Sequence, residues 1–332
     1  MKFAVILGNL GNTADRFLSS GYKEPLPLKA RLEQAAAIEG VEGVELVGAW
    51  DVRPDTVEEV GELLAKHGLK CASIIPDHFA QKRWGSGALA AKDPAVRAQA
   101  VEEAARMAEA AMKLGCDLIN LWPGQDGYDY PLQADYRRER LWIEEGVKAL
   151  CLNYPRMRFA LEYKPKEPRT HSYLARCGDA LLTAQRIAAP NAGVTIDTGH
   201  SLMAGENMAE SAVMLSMYGD KLFHLHFNDN YRFWDDDMIV GSVHFAEYVE
   251  LLFWLREIGY RGWFSMDQYP YREDAQGALR ESIEFLKAVD RLLDEKSMEE
   301  IRELVRRGDA VESTRWLRKL SLIHISEPTR LL

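Results

Sequence analysis

The stretch Lys221 to Asp237 reads KLFHLHFNDNYRFWDDD. Its first seven residues have the apolar pattern of a short buried strand and carry two imidazoles, His224 and His226. Three carboxylates then arrive together at Asp235, Asp236 and Asp237, with Asp229 close by. Like charges so near one another repel, and a cation would relieve them. Carboxylate oxygens with neutral imidazole nitrogens suit a hard-to-borderline divalent metal. Taken alone, such a cluster is better read as a solvated acidic loop after a strand. The strands on either side change that reading, because three others also end in ligand-type residues.

Working outward, the chain alternates strand and helix patterns. Strands are predicted at 3–7, 43–47, 69–75, 117–122, 158–162, 193–197, 221–227 and 262–267. Between them the periodicity predicts helices at 28–38, 54–67 (Pro54 first, Gly68 just past the end), 93–114, 132–153, 172–188, 207–218, 243–258 and 275–293. Strands separated by helices pair in parallel through right-handed crossovers, and eight such units are the number that closes a (β/α)8 barrel. An open doubly wound sheet would usually show a glycine-rich phosphate turn after the first strand, and Gly8-Asn9-Leu10-Gly11 is a weak match. The fold class expected is therefore α/β, a (β/α)8 barrel over residues 1–295. Residues 296–319 form a C-terminal helical extension, broken near Gly308. Beyond it, 320–332 ends in SLIHISEPTRLL, which resembles a translated adapter sequence and is set apart as a non-native tail. The extension is amphipathic with nothing obvious left to cover on a finished barrel, so a homo-oligomer, dimer or tetramer, is expected.

A formal charge of −10 over 332 residues argues against a nucleic-acid surface. No run is long enough to span a membrane, and MKFAVILGN is too short for a secretion signal. Cys71, Cys116, Cys151 and Cys177 are far apart and lack a C-x-x-C, so they read as reduced core thiols of a cytoplasmic protein.

In such a barrel the C-terminal ends of the strands converge on one mouth. The fifth strand ends at Glu162, with Lys164 two residues on. The sixth ends at Asp197, with His200 after it in DTGHS. The seventh carries His226 and leads to Asp235 and Asp237, and the eighth ends at Asp267. Each has a bland alternative: an ion pair for Glu162 and Lys164, a helix cap for Asp197, satisfied core histidines for His200 and His224, a turn residue for Asp267. Four consecutive strands ending in acid or imidazole favour a functional mouth. Trp50, Phe79, Trp84 and Trp122 lie near strand ends as candidates for an apolar substrate floor, and His78 is a candidate for ring opening or substrate orientation.

These residues carry a family resemblance. E-x-K at Glu162 and Lys164, D-x-G-H at Asp197 and His200, HFND followed by Asp235 to Asp237, Asp267 on the last strand, and LWPGQDGYDY from Leu121 resemble the xylose isomerase-like TIM barrels, and among them L-rhamnose isomerase and its relatives. The resemblance implies two divalent metals, Mn2+ first, with Mg2+, Co2+ or Zn2+ as alternatives. Glu162, Asp197, His226 and Asp267 would hold one ion, and His200, Asp235 and Asp237 the other, with Asp197 bridging. The loop after His226 is one residue longer than in that pattern, which leaves open which of the three consecutive aspartates ligate. The implied activity is metal-assisted hydride transfer between C1 and C2 of an unphosphorylated monosaccharide, an aldose-ketose isomerisation, with Lys164 donating to the carbonyl oxygen. The rival is a ketose 3-epimerase, in which Glu162 and Asp267 would act as acid and base. Endonuclease IV-like phosphodiesterases need more histidines than occur here. A non-catalytic sugar-binding protein on the same scaffold would not need Lys164.

Overall fold

The computed structural model describes residues 1–12 and 18–326. Eight strands close into a barrel: β1 (Lys2–Ile6), β2 (Val41–Val47), β3 (Lys70–Ile75), β4 (Leu118–Leu121), β5 (Arg158–Glu162), β6 (Ala192–Asp197), β7 (Leu222–Phe227) and β8 (Trp263–Met266). Neighbours in sequence are neighbours in the sheet, all parallel, and β8 closes on β1 through Lys2 opposite Trp263 and Val5 opposite Met266. Each strand falls within two residues of its expected place.

The helices are α1 (Leu28–Ala36), α2 (Val57–His67), α3 (Pro94–Lys113), α4 (Tyr136–Asn153), α5 (Cys177–Ile187), the short α6 (Thr198–Met203), α7 (Met208–Met217), α8 (Phe245–Glu257) and α9 (Ala275–Leu292). α2, α4 and α5 begin well after the residue that periodicity alone suggests, each for a local reason. Before α2, the Arg53 N–H donates to Thr56 Oγ1 (3.0 Å) and the Thr56 N–H to Arg53 O (3.0 Å), so Pro54 sits in a closed turn and not in the helix. Before α4, Leu132 has φ +66°, and Asp135 accepts the Arg137 and Arg138 N–H groups as the cap. Before α5, His171–Ser172 pairs antiparallel with Gly127–Tyr128.

The extension is two helices, α10 (Glu295–Arg307) and α11 (Ala310–Ser326), separated by Gly308 at φ +64°. It does have a surface to cover on its own barrel. Ile301, Trp316 and Leu317 pack against the core, and Arg302 pairs with Glu257 at the end of α8 (2.8 Å). The apolar face of the extension is thereby partly covered by its own barrel, while Val305 and Val311 stay exposed. Part of the segment set apart as a tail continues α11, while 327–332 lie outside the described residues.

The interior of the barrel is unusual for its class, which is normally filled by branched apolar layers. Glu45, Ser73, Asn120, Thr195, His224, His226 and Ser265 are all fully buried. Below the mouth, the lumen is therefore a hydrogen-bonded polar column.

Candidate metal centre and substrate cavity

Local structure brings the ligand-type residues together. Asp197 ends β6 and caps α6: its Oδ1 accepts the His200 N–H (2.8 Å), and the first turn of that helix carries His200 back toward β5. Gly199 is required here, since a Cβ would collide with the Asn228 side chain on the next loop. The cap reading of Asp197 and the ligand reading are thus both satisfied by one residue. The imidazole of His200 lies between two carboxylates, with Nδ1 3.2 Å from Glu162 Oε1 and Nε2 3.1 Å from Asp235 Oδ2. His226 Nδ1 faces Asp267 Oδ2 at 3.2 Å and Glu162 Oε2 at 3.6 Å.

Two groups of donor atoms result, each within 4.8 Å of one another: Glu162, Asp197, His226 and Asp267; and Asp197, His200 and Asp235. Of the three consecutive aspartates, Asp235 enters the second group. Asp236 accepts the Tyr231 N–H of its own loop (3.0 Å), and Asp237, at φ +50°, lines the cavity beside them. Lys164 Nζ reaches Asp235 Oδ2 (2.8 Å) and Glu167 Oε2 (3.0 Å), and lies 5.2 Å over the Trp122 ring.

These residues form one side of a cavity of about 1050 Å³. The other side is aromatic. Phe79 lies between Trp122 (4.7 Å between ring centres) and Trp50 (5.6 Å), and the Trp50 Nε1–H donates to Asp77 Oδ2 (3.3 Å). Trp234, Tyr269 and Tyr271 also line it. Two expected residues do not reach it. After β3 the Asp77 carboxylate accepts the Ala80 N–H (2.8 Å) in a turn; Phe79 lines the cavity, while His78 is turned toward α3. His78 Nε2–H donates to Ala100 O (2.9 Å), and the His78 ring lies edge-on to Trp84, which is wholly buried beneath Arg83.

A family model described as the xylose isomerase-like TIM barrel matches residues 32–289. The chain belongs to the xylose isomerase-like TIM barrel family. Xylose isomerase of Thermus thermophilus is 30% identical over 233 residues, 68% of this chain and 60% of that protein. The chain thus spans about 60% of the length of the curated relatives it matches. Among solved structures, a D-tagatose 3-epimerase-like protein superposes with a TM-score of 0.68 at 22% identity, covering 90% of this chain and 100% of that one. An L-ribulose 3-epimerase gives 0.68 at 14%, covering 91% and 97%. At these identities the likeness is one of fold.

In this xylose isomerase-like barrel the centre holds more negative charge than its cations balance. Burial, reinforced by Asp267, Asp235 and Glu162, pushes the Asp197 carboxyl up to about 7 despite His200. Burial and the neighbouring Asp235 and Asp267 hold Asp237 well above the ordinary range, and burial also raises Asp267. Glu162 and Asp235 stay below that range although burial opposes it, the first because of His226 and His200, the second because of Lys164 and His200. Asp235 and Glu167 outweigh desolvation at Lys164 and keep it cationic. Meanwhile the Nδ1 atoms of His200 and His226 and the Oδ1 atom of Asp235 are buried and make no hydrogen bond. Neighbouring carboxylates raise both imidazoles against burial; surplus carboxylates around buried donor atoms without partners suit a divalent cation that takes the place of those protons, so the donor set fits one.

Sequence reasoning missed the supports of this centre. Asn120 donates to Glu162 Oε2 (2.6 Å) and accepts from Thr195 (2.6 Å), and Asn228 donates to Asp197 Oδ2 (2.9 Å). It also missed Glu45. That residue had a signal, a charge between Val44 and Leu46 in a strand buried on both faces.

Proposed function

We propose that this chain is a divalent-metal-dependent sugar isomerase that interconverts an unphosphorylated aldose and ketose. The observation that carries this reading is the second donor group, Asp197, His200 and Asp235, sharing Asp197 with the first and having Lys164 2.8 Å from Asp235. Glu162, Asp197, His226 and Asp267 would hold one ion. His200 and Asp235, with Asp197 and Asp237, would hold the other. Bound ions of this kind supply Lewis acidity to neighbouring sugar oxygens; Mn2+ is the ion we put first, with Mg2+, Co2+ or Zn2+ compatible with the same donors.

The protein's own groups do the rest. Lys164, fixed as a cation, donates a hydrogen bond to the substrate carbonyl oxygen O1 as charge develops there. The C2 hydrogen moves with its electron pair to C1, O2 gives up its proton as the C2 carbonyl forms, and O1 takes up a proton to become a hydroxyl. The Trp50, Phe79 and Trp122 rings offer an apolar face to the sugar carbons and keep water from that side.

One observation favours a second reading. Glu162 and Asp267 both face His226 Nδ1, at 3.6 and 3.2 Å, and two carboxylates so placed could exchange protons with C3 of a ketose as a 3-epimerase would. Conversion in D2O with Mn2+ across a panel of aldoses and ketoses, L-rhamnose among them, separates the two. An aldose-ketose pair with little deuterium at C1 or C2 supports the hydride shift. Deuterium at C1 or C2 with aldose formed keeps the isomerase and replaces the shift by an enediol. Rapid deuterium entry at C3 with no aldose formed makes it an epimerase, and no turnover of any sugar leaves a sugar-binding protein.

Among the described residues no helix is long and apolar enough to cross a membrane. The four cysteines are buried and unpaired, on which we base a cytoplasmic location. Val305 and Val311 of the extension stay exposed, which supports a dimer or tetramer as part of the same proposal, measured by light scattering.

A further inference from the structure

Beneath the mouth, Glu45 lies in the middle of β2, fully buried, with its carboxylate in the polar column of the lumen. Strand register puts Ser73 of β3 beside it, and closure of the barrel brings β7 to it from 179 residues away. Three groups meet the carboxylate. Ser73 Oγ–H donates to Oε2, His224 Nε2 lies 2.7 Å from Oε1, and His226 Nε2 lies 3.3 Å from Oε2. Among the described residues its ion-pair partners are these two imidazoles alone. A carboxylate only accepts, so each imidazole must carry a proton on Nε2 to bond with it. For His226 this leaves Nδ1 on the opposite side of the ring, the buried atom that faces Asp267 and Glu162.

We propose that Glu45 is a positioning residue for the metal centre, which, backed by Ser73 and His224, holds His226 in the Nε2–H tautomer and so presents the Nδ1 lone pair to the ion. The inference rests on the metal-dependent reading above. It uses a general device, a carboxylate that orients a ligating histidine through its other nitrogen, whose loss typically weakens metal binding about 10- to 100-fold. Glu45, His224 and His226 could themselves be taken for a third ion site, as their donor atoms lie within 4.8 Å. The 2.7 Å contact between Glu45 and His224 is a hydrogen-bond separation, and all three residues are closed to solvent, which favours orientation over ligation.

The test reads the tautomer before any activity. In metal-free full-length protein labelled with 15N-histidine, long-range 1H–15N correlation should show His226, assigned by its loss in His226→Asn, with Nε2 protonated, with or without a second proton on Nδ1, because Glu45 and Glu162 raise its pKa against burial. Glu45→Leu should shift His226 toward the Nδ1–H form and weaken Mn2+ binding, measured by calorimetry, about 10- to 100-fold. Glu45→Gln keeps an acceptor oxygen and should restore most of both. Wild-type protein with Nε2 unprotonated overturns the proposal even if Glu45→Leu does not fold. So does a folded Glu45→Leu with unchanged tautomer and affinity, and so does a third bound equivalent of Mn2+ that the Glu45 variants lose. Wild-type protein that shows the Nε2–H tautomer but binds no Mn2+ would instead refute the metal reading on which the inference rests.

Discussion

Strands β1 to β4 end at Ile6, Val47, Ile75 and Leu121, whereas β5 to β8 end at or beside Glu162, Asp197, His226 and Asp267. The first half of the mouth is an apolar shelf: Ile6, Val47 and Ile75 pack together with Phe79 on them, and loops add Trp50 and Trp122. The second half gathers Glu162, Asp197, Asp235, Asp237 and Asp267, two imidazoles and Lys164. A sugar has the same two characters, carbon faces and oxygen edges. The division also strengthens the chemistry, because a low-dielectric wall opposite the charges increases every interaction among them. The two halves should therefore fail differently when altered, one in turnover and the other in substrate affinity.

The largest effect should come from the charged half as a whole. Exhaustive chelation, or Asp197→Asn, which removes the carboxylate common to both donor groups, should abolish turnover. Chelation should also lower stability by about 4 kcal/mol relative to protein with metal at a thousandfold its dissociation constant, with Mn2+ or Co2+ restoring it. Metal analysis finding no divalent ion, together with melting that chelation leaves unchanged, would remove the distinction between the halves. Next, Lys164→Met should cost about 10²- to 10³-fold in kcat, the usual effect of losing one aimed donor, while metal content stays at the wild-type level. If metal content falls with kcat, Lys164 holds the site together and its part in the reaction is not shown.

His78 sharpens the comparison from the apolar side. Burial lowers its pKa from 6.5 to about 4. Well above pH 6.5 both folded and unfolded chains carry it neutral. As pH falls toward 4 the unfolded chain takes up a proton that the folded chain does not, so stability is lost, by about 1.4 kcal/mol per pH unit at most and about 2 kcal/mol by pH 5. His78→Gln should flatten this slope in denaturant titrations and leave the pH profile of kcat/KM alone. A changed profile would put His78 back among the reacting groups. The smallest effect is expected at the rim, where Trp50→Ala should raise KM a few-fold with kcat and metal content unaltered, and Phe79→Ala, in contact with both other rings, somewhat more. A fall in kcat with KM unchanged would contradict a purely recognising wall.

The barrel was legible because each strand is a compact apolar run and each helix shows its own period, and eight repeats leave little choice of topology. Glu162, Asp197, His226 and Asp267, which the structure brings together, could be picked out for a related reason: they stand at or beside the end of a buried strand, and His200 and Asp235 follow in the segments after β6 and β7. Glu45 interrupts a strand instead, and its partners lie across the lumen, 179 and 181 residues away. Nothing local says that His224 is satisfied by that glutamate. His78 and Trp84 were misjudged because one turn after β3 decides which neighbour of Phe79 meets the cavity, and that turn depends on the Asp77 carboxylate accepting the Ala80 N–H.

Asp197 stands at the junction of the two donor groups and is also the cap of α6. One carboxylate thus answers to the His200 backbone amide in the first turn of α6 and to whatever occupies the centre. Amide hydrogen exchange in that single short helix should then report occupancy from within the chain, slowing as the centre fills and quickening as it empties, without substrate or label.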